Sequence, residues 1–257
     1  MLNHRSIGPS DGPPLVLLHG ILVSAVNLVR LARGLSKQRP ELHVLQVDLP
    51  GHGSSPPLED EASLDDAAQQ IVDFIRAHAD HPELIVLGHS MGGRMALAAR
   101  RLEPDLIRQL ILLDIAPGPT HGLGVSQMAP HILLGPAEAD SRNAFIEPLR
   151  EAGVSESMAQ WLVMNVENKG GVYRWRIDRK ALLDFHHRTT GIDQWEEVER
   201  DPEGLWSIRG GNSAYVSDRD VEHFASLGVP TSVIEGAGHF VHAEKPDALI
   251  EILAARL

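Results

Sequence analysis

The stretch from Leu84 to Arg94 constrains the fold more than any other part of the sequence. Four apolar residues run directly into Gly-His-Ser-Met-Gly, and helix-forming residues follow. A short apolar run bounded by glycine predicts a buried strand of a parallel sheet. The Gly-x-Ser-x-Gly pattern after such a strand predicts a nucleophile elbow, a tight strand-to-helix turn with Ser90 at its apex. The two flanking glycines lack the side chains that would collide in this turn.

Two backbone amides are candidates for the donors of an oxyanion hole. An earlier apolar run, Leu15 to Leu18, predicts a second buried strand, and it ends in His19-Gly20-Ile21. A glycine there lets the backbone approach a ligand, and the amide of Ile21 is expected to point at it. The amide of Met91 lies at a helix N-terminus, where N–H groups have no intrahelical partner. We therefore predict that Ile21 and Met91 donate, with His19 and Gly20 beside the substrate.

The alternation of strands and helices predicts the fold class. Further strands are expected at His43–Pro50, Leu110–Pro117, Gly204–Arg209 and Thr231–Ile234. Helical patterns lie between most of them, which predicts a mostly parallel, doubly wound α/β sheet. The chain thus resolves into a core, residues 1–117 and 204–257, and an insertion, residues 118–203.

The insertion is too long for a plain loop, and we predict that it forms a helical cap over the elbow. Helices are expected at Ser141–Arg150, Ser155–Glu167 and Lys180–His187. Apolar cap residues, Trp175 among them, are expected to line an acyl pocket.

Composition and charge narrow the function classes. The 257 residues carry a net charge of −12, which argues against nucleic acid or an anionic membrane surface as partner. There is no cysteine, so neither disulfides nor thiol chemistry are expected. No apolar N-terminal region or membrane span stands out, so a cytoplasmic protein is the expectation. We expect either a monomer or a homodimer. No metal site is predicted, because the adjacent His186 and His187 would point in different directions on a helix. No organic cofactor is predicted either.

Five motifs occur in a fixed order along the chain. They are Gly88–Gly93, Leu113–Pro117, Tyr173–Arg176, Arg209–Val216 and Gly236–Pro246. With them the sequence resembles the α/β-hydrolase superfamily from about Leu15 to the C-terminus. Within that superfamily it is similar to the bacterial YbfF-type esterases, which are related to ABHD11-like proteins. The resemblance implies ester hydrolysis and makes acyl-CoA thioesters plausible substrates.

Serine chemistry requires a base near Ser90 and a carboxylate that orients the base. His239 follows the last strand at the sheet edge that carries Ser90, and we predict that it is the base. In most α/β-hydrolases the acid follows the strand that ends here at Arg209, but the corresponding position is Ser213. The YbfF-type resemblance implies Asp114 as the acid. Asp218 or Asp220 remains the alternative.

The predicted reaction is acyl transfer to Ser90 followed by hydrolysis, acting on a small-molecule ester or thioester. A basic pocket entrance made by Arg94, Arg174, Arg176 and Arg179 would suit a phosphate-bearing thioester. Arg94 also resembles a feature of the lyase of menaquinone synthesis, MenH, on the same fold. A MenH-like lyase, or a carbon–carbon bond hydrolase, is therefore one alternative. A non-catalytic binding module is another.

Overall fold

The computed structural model describes residues 1–120, 133 and 135–257. Its main sheet has seven strands, which are β1 (His4–Ile7), β2 (Pro14–Leu18), β3 (His43–Val47), β4 (Ile85–His89), β5 (Gln109–Leu113), β9 (Leu205–Gly210) and β10 (Thr231–Ile234). Their order across the sheet is β1-β3-β2-β4-β5-β9-β10. Only β1 pairs antiparallel with its neighbour in this sheet; the other pairings are parallel. The predicted fold class, a mostly parallel α/β sheet, is confirmed.

Helices cover both faces of the sheet, and others lie in the described part of the insertion. They are α1 (Val29–Gln38), α2 (Leu64–His78), α3 (Met91–Leu102), α4 (Asn143–Glu151), α5 (Glu156–Leu162), α6 (Arg179–Thr189), α7 (Trp195–Arg200), α8 (Asp218–Ser226), α9 (Val241–Glu244) and α10 (Pro246–Arg256). Short 3₁₀ turns lie at Ala25–Leu28 and Val163–Asn165. Among the described residues no helix has the length and apolar character needed to cross a bilayer.

The alternation of side chains along the central strands divides the core into two layers. On β2, Val16 and Leu18 pack into the layer that contains α2 and α3, whereas Leu15 and Leu17 pack into the layer beneath α1 and α10. Successive residues of a strand point to opposite faces, and both faces of this sheet are covered. The central strands are therefore mostly apolar on both faces, as the sequence pattern indicated.

Local signals in the sequence set the ends of several elements. The helix over Leu64–His78 begins after Ser63, whose hydroxyl accepts from the Asp66 amide. The strand Thr231–Ile234 has its predicted bounds. The first helix begins at Val29, directly after a 3₁₀ turn over Ala25–Leu28.

The insertion between β5 and β9 contains more than the predicted helices. Its strands β6 (Glu138–Ala139), β7 (Val166–Lys169) and β8 (Val172–Trp175) form a small antiparallel sheet in the order β6-β8-β7. The predicted helix over Ser155–Glu167 is therefore too long, since it ends at Leu162. Gly170 and Gly171, both at positive φ, connect β7 to β8 and make this hairpin possible. The division of the chain at residues 118 and 203 stays a prediction.

Candidate active site

The elbow at Ser90 joins β4 to α3 in a backbone conformation that few residues adopt. Ser90 has φ 53° and ψ −120°. A Cβ on Gly88 would lie 2.5 Å from Cα of Gly93, and one on Gly92 would lie 2.5 Å from the carbonyl oxygen of His19. Such separations are well inside van der Waals contact, so only glycine fits at either position. The steric reasoning from the Gly-x-Ser-x-Gly pattern agrees with this geometry.

Three side chains from separate parts of the chain form a continuous hydrogen-bond relay. His239 Nε2 lies 3.1 Å from Ser90 Oγ, and His239 Nδ1 lies 2.7 Å from Asp114 Oδ2. Ser90 is 7% exposed and Asp114 is fully buried. The Nδ1–H of the imidazole donates to the carboxylate, which leaves Nε2 free to accept the serine proton. The structure thus brings together the three residues predicted as catalytic.

Asp114 directly follows β5, and its carboxylate is held by several donors. Oδ1 accepts from the Gly210 amide at 2.8 Å, and Oδ2 accepts from the hydroxyl of Ser213 as well as from His239. Ser213, the position without a charge, therefore contributes a hydrogen bond to the acid on the neighbouring strand. The alternative Asp218 pairs with Arg209 at 2.8 Å and is 91% exposed, outside this network.

The two predicted oxyanion donors flank the elbow from different loops. Ile21 lies in the turn after β2, and Met91 is the first residue of α3. Within residues 1–120, 133 and 135–257, no backbone hydrogen bond engages the amide of Ile21 or Met91. The Cβ that Gly20 lacks would lie 3.5 Å from the Cβ of Ser90, so the loop passes directly against the nucleophile. The His19 side chain is buried, whereas the prediction placed it beside the substrate.

Arg94 has a different environment from the one expected of a substrate contact. Its side chain is 1% exposed. The guanidinium donates to the carbonyls of Gly118 at 3.0 Å, Pro117 at 3.5 Å and Ile192. These carbonyls belong to the two ends of the insertion, so Arg94 ties both ends to α3. Burial lowers the pKa of Arg94 to about 10, which leaves it charged at neutral pH.

Trp175 packs against other residues of the insertion. Its indole N–H donates to the Pro136 carbonyl at 3.0 Å, its ring meets Phe145 edge-on, and the guanidinium of Arg179 lies 4.6 Å above it. These contacts give Trp175 a packing role, and its place in the acyl pocket stays a prediction. The other arginines expected at a basic entrance are paired too: Arg174 with Glu138 and Arg176 with Glu167.

Three aromatic side chains near the relay were not predicted from the sequence as site residues. The ring of Tyr215 stacks on that of His239 with centroids 3.7 Å apart. Phe240 packs edge-on against Trp161 of the insertion at 4.6 Å. Phe240 follows His239 directly, and Tyr215 follows Ser213 by two residues, so both could have been found by inspecting the neighbours of the predicted triad.

His89 holds the backbone of the predicted base, His239, through a hydrogen bond. Its Nε2–H donates to the carbonyl of His239 at 2.9 Å. Burial, with His242 and His239 close by, holds the pKa of His89 well below its usual value, so the ring is neutral. Across the described part of the chain no group of three or more histidine, cysteine or acidic side chains has the geometry of a metal site.

Comparison with known proteins places the chain in a family. Residues 15–252 match the model of the alpha/beta hydrolase family, and the protein belongs to this family. More specifically, it is 31% identical to the esterase YbfF of Escherichia coli over 248 residues, 95% of this chain and 92% of YbfF. The resemblance to YbfF-type esterases is thereby confirmed.

Two further relatives agree. The sn-1-specific diacylglycerol lipase ABHD11 of Xenopus laevis is 31% identical over 244 residues, 91% of this chain and 76% of that lipase. The solved structure of a marine microorganism esterase superimposes with a TM-score of 0.81 at 25% identity, covering 100% of this chain and 99% of the esterase. The fold and the family thus agree across sequence and structure.

Proposed function

We propose that the protein is a serine carboxylesterase that cleaves small-molecule esters through an acyl-enzyme intermediate. The observation that carries the proposal is the relay from Ser90 through His239 to Asp114, with contacts of 3.1 and 2.7 Å. Relatives named as esterases and a lipase support the same reaction class. No metal or organic cofactor has a role in this chemistry.

The reaction follows from the positions of the groups. His239 Nε2 takes the proton of Ser90 Oγ as the oxygen attacks the ester carbonyl, and the imidazolium that forms is stabilised by Asp114. The amides of Ile21 and Met91 donate to the developing oxyanion. His239 then protonates the departing alkoxide. Water, activated by the same imidazole, hydrolyses the acyl-enzyme and frees Ser90.

The substrate is proposed to be an acyl ester, with thioesters as a secondary class that the same relay can cleave. A phosphate-bearing thioester would need free cationic groups, yet Arg174 and Arg176 are paired with carboxylates and Arg94 with carbonyls. This favours an uncharged leaving group. The aromatic pair Trp161 and Phe240 is proposed as one wall of the acyl site, because Phe240 adjoins His239.

The other reaction classes receive less support. The MenH-like lyase and the carbon–carbon bond hydrolase were suggested by Arg94, whose guanidinium is engaged by the ends of the insertion. A binding module would not need an aligned serine, imidazole and carboxylate. Action in the cytoplasm and the choice between monomer and homodimer stay predictions.

The test is the initial rate of p-nitrophenyl butyrate hydrolysis, with Ser90→Ala beside the wild type. We expect a rate well above the uncatalysed one that is lost in the variant, and covalent labelling of Ser90 by a fluorophosphonate. A chain-length series and the matching acyl-CoA would follow. A wild type without rate or labelling would refute the esterase assignment and favour the binding module.

A further inference from the structure

Two buried histidines lie between the loops that follow β2 and β3. His19 is 1% exposed and His52 is fully buried. Their rings meet edge-on with centroids 5.1 Å apart. Neither ring belongs to the Ser90 relay, and the proposed reaction gives neither a task. Buried polar side chains are nearly always hydrogen-bonded, so the partners of these two rings are informative.

The hydrogen bonds of the two rings cross between the loops. His19 Nδ1–H donates to the Gly20 carbonyl at 2.7 Å, and its Nε2 accepts from the Leu49 amide at 3.0 Å. His52 Nδ1–H donates to the Pro50 carbonyl at 2.8 Å, and its Nε2 accepts from the Leu22 amide at 3.1 Å. Each histidine thus binds its own loop through Nδ1 and the opposite loop through Nε2.

This pattern requires both rings to be neutral. Burial lowers the pKa of His19 to about 4 and that of His52 to about 3, although Asp48 nearby opposes the shift. At neutral pH each Nε2 therefore keeps the lone pair with which it accepts an amide proton. The tautomer of each ring is fixed by its carbonyl partner on Nδ1.

The two contacts on the first loop fall on the peptide groups on either side of Ile21. The carbonyl of Gly20 and the amide of Ile21 belong to one planar peptide group, so a bond to that carbonyl also fixes the direction of the Ile21 N–H. The amide of Leu22 belongs to the next peptide group. Together His19 and His52 fix both planes that meet at the Cα of Ile21.

The loop is held in a conformation that it would not adopt freely. Leu22 has φ 59°, in the left-handed region that disfavours residues other than glycine. Asn165 of the insertion also donates to the Leu22 carbonyl. A conformation of this kind persists only when surrounding contacts over-determine it.

We propose that His19 and His52 are positioning residues that aim the Ile21 amide at the oxyanion. This inference rests on the proposed esterase function. The side-chain contacts that matter are the donation from His19 Nδ1 to Gly20 and the acceptance by His52 Nε2 from Leu22. The other two contacts hold only the loop after β3.

Because asparagine places a polar atom near Nδ1 and glutamine near Nε2, each ring offers a matched pair of variants. His19→Asn and His52→Gln keep the contacts to the Ile21 peptides. His19→Gln and His52→Asn keep only the contacts to the loop after β3. Leu253→Ala controls for a general loss of stability, because Leu253 lies in the core layer beside α1, whereas Ile21 and Leu22 lie in the other layer. Melting temperatures are recorded for all variants.

We expect His19→Gln and His52→Asn to lower kcat for p-nitrophenyl butyrate by about 10- to 100-fold, because a donor displaced by about 1 Å loses much of its effect. KM should change less than about threefold, since the oxyanion forms only after binding. An alkyl trifluoromethyl ketone, which Ser90 adds to with formation of an oxyanion, should lose affinity by the same factor as kcat. Inhibition by butyrate, which forms no oxyanion, should stay constant.

Retained kcat in His19→Asn and His52→Gln completes the expected pattern. Four variants as active as the wild type, or losses that follow melting temperature as in Leu253→Ala, would overturn the positioning role while leaving the esterase function intact. A wild type without Ser90-dependent turnover would overturn the esterase function and the positioning role with it.

Discussion

Replacing Asp114 by asparagine isolates the contribution of one buried carboxylate. In the wild type its two oxygens accept from the Gly210 amide, the Ser213 hydroxyl and the imidazole of His239. An asparagine has one accepting oxygen and one donating NH₂ group, and the two orientations of that amide have different costs.

In one orientation the oxygen keeps the Gly210 amide, at 2.8 Å, and the NH₂ group faces Ser213 and His239. The serine hydroxyl can rotate to accept, but His239 must then place its proton on Nε2, where it cannot receive the proton of Ser90. The flipped orientation sets two N–H donors against each other in a buried site, which costs about 1–3 kcal/mol. The first orientation therefore dominates, with the imidazole in the wrong tautomer.

The expected loss in kcat is about 10⁴-fold, the size known for this replacement in the general Ser-His-Asp template. That factor is about 5.4 kcal/mol of transition-state stabilisation. KM should change little, because the carboxylate does not touch the substrate. The assay is kcat and KM for p-nitrophenyl butyrate, with thermal unfolding to verify that the variant is folded.

Asp218→Asn is the matched control. It removes the same charge at a side chain that is 91% exposed and pairs with Arg209. An exposed ion pair contributes at most about 1 kcal/mol to stability, and we expect kcat within about twofold of the wild type. The assignment of the acid would be refuted if Asp218→Asn were crippling while Asp114→Asn kept most of the activity.

Three other perturbations have definite expected outcomes. Gly92→Ala would place a Cβ 2.5 Å from the His19 carbonyl oxygen. We therefore expect about 1–3 kcal/mol of destabilisation in urea unfolding and a lower kcat, and unchanged stability would contradict the close packing of the elbow. Arg94→Ala leaves buried carbonyls at both ends of the insertion without their donor and should cost about 2–4 kcal/mol by the same measurement, a loss under 1 kcal/mol being evidence against this role. Stability should also fall with acidification from pH 6.5 toward pH 4, by up to about 1.4 kcal/mol per pH unit for each histidine whose pKa burial has lowered, because the unfolded chain binds protons that the folded chain does not. These histidines are His19, His52, His89 and His242, and a pH-independent free energy of unfolding between pH 7 and 5 would contradict their neutrality.

Local sequence patterns were sufficient to predict the parallel sheet and the elbow, because both depend on residues adjacent in the chain. The choice of Asp114 as the acid rests on the resemblance to YbfF-type esterases, together with the absence of a charge at Ser213. The position of that acid in contact with His239 is seen in the structure, whereas its catalytic role stays a prediction until measured.

The remaining features depend on partners far apart in the chain. The sequence predicts Arg94 as a substrate contact because Arg94 directly follows the glycines of the elbow. The sequence does not show that the distant Ile192 carbonyl packs against α3 and accepts from the Arg94 guanidinium. The role of Trp175 likewise depends on Pro136 and Phe145. The hairpin of the insertion is absent from the sequence prediction, because the helix predicted through Glu167 takes up the start of β7. Gly170-Gly171 is the local signal that indicates the turn.

The placement of the acid on β5 has a consequence for refolding. Ser90 and Asp114 end adjacent parallel strands that are joined only by α3, so a single local β-α-β unit can set both of them. His239 follows β10, the last strand, and reaches them only when the C-terminal segment has docked. Contacts of such long sequence separation form late, since the chain must close a large loop first. The recovery of esterase activity should therefore lag behind the recovery of the helical circular dichroism signal. This delay would report the docking of β10 and His239 onto the folded sheet.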